Sequence, residues 1–106
     1  MNTQFKNYVK EFDTVVFTCQ YLDDKNKPTD LTDITIKANM QSLSGRLVDT
    51  LDVIIDDAVN GIFILKPTID RLPIGTHSID ILFEKNGSRV SSDTFGITVV
   101  KAITTP

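Results

Sequence analysis

Apolar and polar positions alternate along most of this chain with a period of two. The alternation is cleanest where His77, Ile79, Ile81 and Phe83 share one face while Ser78 and Asp80 take the other, the pattern of a strand buried on one side. A Leu72-Pro73-Ile74-Gly75 corner opens directly onto this run. From Asp13 to Leu22, Val15, Phe17, Cys19 and Tyr21 alternate with Val16, Thr18, Gln20 and Leu22. Both sets are rich in β-branched and aromatic residues, which favours strand over helix. Ile34, Ile36, Ala38 and Met40 alternate with Thr35, Lys37 and Asn39 in a further one-faced strand. Leu47 to Ile55 predicts a strand with Leu51, Val53 and Ile55 on one face, and Ile62 to Lys66 predicts a short, nearly continuous apolar strand ended by Pro67. Arg89 to Phe95 reads as a polar edge strand whose Arg89 and Asp93 would discourage pairing with other chains. Ile97, Val99 and Val100 form the last strand, and Gln4 to Lys10, anchored by Phe5 and Tyr8, forms a short first one.

The intervening segments carry turn chemistry. Asp23-Asp24-Lys25-Asn26-Lys27-Pro28 is polar and closed by proline, and Gln41 to Arg46 forms a loop. Asn60-Gly61 and Asn86-Gly87 signal positive φ values, the second in a hairpin turn. Gly96 marks a bulge, and Leu31, a lone apolar residue in a polar loop, is expected to tuck under the sandwich edge. No segment sustains a period of 3.6, the spacing a helix needs. Turn signals recur at the ~8–12-residue spacing of a β-sandwich. The prediction is a single all-β domain over residues 1–106, an immunoglobulin-like antiparallel β-sandwich of about seven to eight strands. Its core spans 13–100, with 101–106 as an exit tail or the start of a linker.

Composition narrows the function. The formal charge of −3, with the basic residues scattered, disfavours nucleic acid, which requires a concentrated basic face. No apolar run approaches the ~20 residues of a membrane span, so no membrane partner is expected. The first residues, with Asn2, Gln4, Lys6 and Asn7, lack the apolar core of a signal peptide, so synthesis in the cytoplasm without classical export is expected.

The candidates for chemistry are few. Cys19, the single cysteine, cannot form an internal disulfide. Sharing its face with Val15, Phe17 and Tyr21, it is expected to be a buried structural thiol. His77, the single histidine, would have to serve any Ser-His-Asp or Cys-His arrangement; it lies in register with Ile79 and Ile81 and reads as a packing residue. Twelve aspartates include Asp23, Asp24, Asp30 and Asp33 in one loop region and Asp49, Asp52, Asp56 and Asp57 in another. Read as a calcium loop of the EF-hand type from Asp24, the glycine position holds Thr29 and the final ligand position Thr35, so that motif is absent. The carboxylates read as turn residues. Glycoside hydrolysis would need a sugar cleft with aromatic platforms, and the chain has no Trp and two Tyr. No glycine-rich phosphate loop occurs. The expectation is a protein that is not an enzyme, with no catalytic, cofactor-binding or metal-binding residues and no cofactor.

Three segments, taken together, resemble a known family. They are Asp13 to Phe17 followed by Pro28 to Ile36; Asp52 to Phe63; and Leu72 to Ile81, followed by Asn86-Gly87 and Phe95 to Val99. Their order is similar to the immunoglobulin-like domains of bacteriophage and prophage tail proteins, in particular the N-terminal domain of the phage baseplate upper protein. The resemblance covers about residues 13–100 and departs at His77, where such sequences often carry tyrosine. It implies a virion structural or accessory module of the tail, baseplate or particle surface, located in the virion. Other virion proteins would be its partners, with self-association as a further expectation. Val16, Leu22, Leu47, Leu82 and Val100, which fall off the core face, are the candidate contact anchors, the alternative being burial under the second sheet or the N-terminal strand. Two alternatives stand beside it: a calcium-assisted carbohydrate- or cell-surface-binding module using the Asp-rich loops, and a small inhibitor inserting one loop into an enzyme.

Overall fold

Strands, and no helix, build the computed structural model, which describes residues 8–106; the Gln4–Asn7 part of the first predicted strand lies outside the described residues. In chain order the strands are β1 (Tyr8–Lys10), β2 (Phe17–Gln20), β3 (Thr35–Ser42), β4 (Leu47–Thr50), β5 (Asp52–Asp57), β6 (Ile62–Lys66), β7 (Gly75–Lys85), β8 (Ser88–Ser91) and β9 (Phe95–Val100). The larger sheet has the order β1-β9-β7-β3-β4, with β8 joined to β7; the smaller has the order β2-β6-β5. The two pack face to face as an immunoglobulin-like sandwich.

Long β7 carries the structure. Its register with β3 runs unbroken from Thr35↔Glu84 to Ser42↔His77. Its other flank pairs with β9 over Gly75–Ile79 and with β8 over Leu82–Lys85. His77, Ile79, Ile81 and Phe83 all point into the core, as the alternation predicts. Met40, Phe63, Leu65, Ile79 and Val99 are its most deeply buried members. Aromatic contacts tie the sheets together: Tyr21 stacks on Phe83 with centroids 4.1 Å apart, and Phe63 meets Phe83 edge-on at 5.8 Å. Such pairs add to burial through ring electrostatics. Leu31 joins this core, its N–H bonded to the carbonyl of Ala58 at 2.8 Å. Asn86 and Gly87 both adopt positive φ (52° and 83°), as the Asn-Gly hairpin requires. In the other hairpin Gly61 does so (φ 71°) and Asn60 does not.

Four expectations change. The predicted strand Leu47–Ile55 is two strands in different sheets, which raises the count to nine among the described residues. The chain crosses between sheets at buried Leu51, whose N–H bonds the carbonyl of Ala38 at 2.9 Å. Because Leu51 faces the core throughout, period two carries no mark of the crossing. Second, the predicted strand Arg89–Phe95 stops at Ser91. There the side chain of Ser92 accepts the N–H of Ile81 (2.9 Å) while its own N–H donates to Ile81 O (2.8 Å), so the chain steps from β8 to β9 along one flank of β7. Third, Gly96 pairs in regular register with Ser78 and forms no bulge; the irregularities fall at Met40/Gln41 and Ile55/Asp57. Fourth, the sheet is not purely antiparallel: β1 pairs parallel with β9. The segment after β9 is also anchored, with Ala102 buried.

Candidate interaction surfaces

The residues weighed for chemistry are dispersed. His77 is 3% exposed, and its Nε2 lies 2.7 Å from the carbonyl oxygen of Pro73. A carbonyl only accepts, so Nε2 carries the proton of this bond, which pins the Leu72–Gly75 corner to the head of β7. Its Nδ1 has no hydrogen-bond partner among the described residues. Cys19 is half-buried rather than buried, because its strand β2 is at the edge of the smaller sheet; partial burial raises its thiol pKa. The loop aspartates serve turns. Asp23 accepts the N–H groups of Lys25 and Lys27, Asp30 the N–H and the hydroxyl of Thr32, and Asp57 the side-chain amide of Asn60. Asp30 is held below the usual aspartate range by the Thr32 backbone N–H and then its hydroxyl. Among the described residues no three His, Cys, Asp or Glu side chains converge as a metal would need. Asp49 is buried in a different role, its carboxylate accepting both the N–H and the hydroxyl of Thr68.

The tightest polar cluster centres on Glu11, a residue the alternation gave no reason to single out. It is 2% exposed. One carboxylate oxygen takes a two-pronged contact from Arg71 (Nε 2.9 Å, Nη2 2.8 Å), and the other accepts the Ala102 N–H at 2.9 Å. The Glu11 backbone also bonds Val100 and Leu72. One side chain thus ties together the segment after β1, the corner before β7 and the segment after β9. Arg71 in turn lies over the Phe12 ring, 5.2 Å from its centroid. The Ala102 N–H first, and then Arg71, hold the Glu11 carboxyl below its ordinary value of 4.5. A depressed folded-state pKa contributes stability that is complete above the unfolded value and is lost as pH falls through the folded one. Urea unfolding of the natural protein and of Glu11→Gln should therefore differ most at neutral pH, with the natural protein more stable. The gap should narrow as pH drops below 4.5. Asp30 and Glu84, the latter held down by Arg89 and Lys37, titrate in both proteins, so the difference isolates Glu11.

The features left for contact are apolar. In the smaller sheet, Phe17, Leu65 and Val53 pair across one row, and Thr18, Ile64 and Ile54 across the next. The first row faces the core. The second faces out, and with it Val16 and Ile62. Val16 is 55% exposed and Ile54 48%, with Ile62 and Ile64 half-buried beside them. Asp52, Asp56, Gln20 and Lys66 border this apolar face. Its sequence signal lies in the runs Val53-Ile54-Ile55 and Ile62-Phe63-Ile64-Leu65: a strand of a one-sided sheet has no core-packing need for an apolar residue at every position. The five candidate anchors do not converge. Val16 and Leu22 lie on this outer face, Leu82 and Val100 on the outer face of the larger sheet, and Leu47 on edge strand β4. Of these, Val16, Leu22 and Leu47 are exposed, while Leu82 and Val100 are half-buried.

This arrangement defines an all-β, immunoglobulin-like sandwich. CopC from Methylosinus trichosporium OB3b shares the fold, with a TM-score of 0.61 at 12% sequence identity, covering 95% of this chain and 89% of that one. The Lin-41 filamin domain also shares it, with a TM-score of 0.52 at 18% identity and the same two coverages, 95% and 89%. No curated protein sequence matches the chain. Over residues 1–106 the chain matches the family described as the BppU N-terminal domain, and it belongs to that family. This is the N-terminal domain of the phage baseplate upper protein, a baseplate structural domain associated with the virion.

Proposed function

We propose that this domain is a non-enzymatic docking module of the phage baseplate, holding a neighbouring virion protein against the outer face of its smaller sheet. The observation that carries this reading is the outward-facing apolar row of exposed Val16 and Ile54 and half-buried Ile62 and Ile64, on a sheet whose other side already supplies the core. Contiguous exposed apolar surface of this kind marks contact sites on soluble proteins. Family membership supports another virion protein as the occupant. The mechanism is passive. The sandwich is rigid because β7 is hydrogen-bonded along both flanks, so little conformational entropy is lost on docking. Binding energy comes from a few aliphatic anchors at the centre of the contact, with the acids at its rim setting orientation. Two sequence-level expectations belong to this reading: the partners are proteins, not nucleic acid or membrane, and the site does no chemistry.

The test is co-purification. The protein should be found in purified particles, in the baseplate fraction after disassembly, and at a fixed ratio to the other baseplate subunits. Its absence from washed particles that retain their other baseplate proteins would remove the reading.

A further inference from the structure

The sandwich has several exposed strand edges, and natural proteins commonly protect such edges with charge. β1 carries Lys10, Arg46 immediately precedes β4, β5 carries Asp52, Asp56 and Asp57, and β8 carries Arg89. The edge of β2 differs: from Val16 to Leu22 the sequence is Val-Phe-Thr-Cys-Gln-Tyr-Leu, with no charged residue. Among the described residues β2 pairs with β6 alone. Tyr21 donates its N–H to Gly61 O at 2.8 Å on the β6 side. By alternation Cys19 and Phe17 face β6 as well, which turns the N–H and C=O groups of Thr18 and Gln20 outward. The edge therefore presents an unprotected hydrogen-bonding ladder. Beside it, between β2 and β8, runs a groove of about 420 Å³ with Cys19, Tyr21, Phe63, Phe83 and Val90 on its apolar wall and Gln20, Ser91, Ser92 and Asp93 on its polar one. Val90 pairs with Phe83 on the core-facing side of its sheet and is still 53% exposed, since the smaller sheet does not reach over it.

We propose that a second copy of this chain occupies this edge, β2 pairing antiparallel with β2 about a two-fold axis at Cys19. This goes beyond the baseplate reading and does not depend on it. The outward groups pair only even-numbered residues with one another, and of those registers the one centred on Cys19 sets the exposed Val16 and Leu22 against each other. Thr18 and Gln20 of one copy exchange both hydrogen bonds with Gln20 and Thr18 of the other, and Cys19 meets Cys19 as the non-hydrogen-bonded pair. The same register sets Val16 opposite Leu22 of the second copy, and Phe17 opposite Tyr21. Val16 and Leu22, 55% and 41% exposed in the isolated chain, flank Cys19 symmetrically. They would form two apolar cross-strand pairs on the outer face. No like charges oppose each other anywhere along the pairing. Isologous pairing of this kind is self-limiting, because it uses up both copies of the edge. It joins the two smaller sheets into one and makes their outer apolar faces continuous, doubling the surface offered to a neighbour.

The geometry supplies its own reporter. Non-hydrogen-bonded antiparallel pairs hold their Cα atoms about 4.5 Å apart, inside the ~4.4–6.8 Å range of disulfides. Mild oxidation with diamide takes up the two electrons and two protons released as the two thiols join, so the Cys19 Sγ atoms should be trapped as a disulfide-linked dimer. Sedimentation velocity, independent of the thiol, should show a dimer for the natural protein and for Cys19→Ser. Leu22→Asp and Val16→Asp each alter an exposed side chain, and each should weaken the dimer by ~10-fold or more. Both variants should lose the cross-link while melting like the natural protein. A protein that sediments as a monomer and gives no Cys19 cross-link overturns the proposal, whichever segment then covers the edge. So does a dimer that both substitutions leave intact. Co-purification of a monomeric chain with particles would leave the baseplate reading standing without the dimer.

Discussion

Gly61→Ala is expected to be among the most destabilising single substitutions in this domain, although it adds one methyl group in a turn. Gly61 has a φ of +71°, and a Cβ built there would lie 2.7 Å from the Thr29 carbonyl oxygen and 2.8 Å from that of Tyr21. Both atoms are backbone, and the Tyr21 oxygen is already hydrogen-bonded. Tyr21 O accepts the Thr29 N–H at 2.9 Å, and Gly61 itself accepts from Tyr21 and donates to Ala58. The end of β2, the loop through Thr29 and the β5–β6 hairpin therefore meet at a point with no room for a side chain. The left-handed conformation costs a non-glycine residue ~1–2 kcal/mol, and forcing backbone aside adds ~1–3 kcal/mol. For a domain of this size the sum, about 2–5 kcal/mol, should lower the melting temperature by ~10 °C or more. Gly45 is the control, with φ +86° and nothing within 4 Å of its would-be Cβ. Gly45→Ala should show the conformational cost alone, ~1–2 kcal/mol. Equal melting temperatures for the two variants would mean that the close approach at Gly61 contributes nothing.

The sequence pattern reached the strands and missed their arrangement, for physical reasons visible at particular residues. Alternation reports which side chains face the core, so His77, Ile79, Ile81 and Phe83 were legible at once. It does not report which sheet a strand joins. Leu51 keeps facing inward while the chain changes sheets, and the break between β4 and β5 is silent for that reason. Tail anchoring was equally hidden, because it depends on Glu11 meeting Arg71 and Ala102 from remote points of the chain. A lone glutamate in a polar segment carries no local mark of such a role. The contact face was half legible. Val16 and Leu22 stood out as apolar residues off the core side of their own strand. Ile54 and Ile64 were masked by apolar neighbours, and only the pairing of β5 with β6 sets them side by side.

That pairing makes the second large effect specific. Ile54 and Ile64 are cross-strand partners on the outer face of the smaller sheet, and neither is among the deeply buried core residues. A lysine at either position can extend into water in the free protein, so the fold should persist. Held against a neighbouring subunit, the same lysine would have to be desolvated without a partner charge, and loss of a central anchor alone costs ~2 kcal/mol or more. Binding to the neighbour should weaken by ~30-fold or more. Leu47→Lys, on an exposed residue at the far edge of the other sheet, should change nothing. The decisive measurement is the amount of Ile54→Lys and Ile64→Lys protein incorporated into baseplates when each variant replaces the natural chain during particle assembly. Both should fold normally and be largely missing from purified baseplates, with Leu47→Lys present at the natural level. Normal incorporation of Ile54→Lys and Ile64→Lys would contradict a docking role for this face.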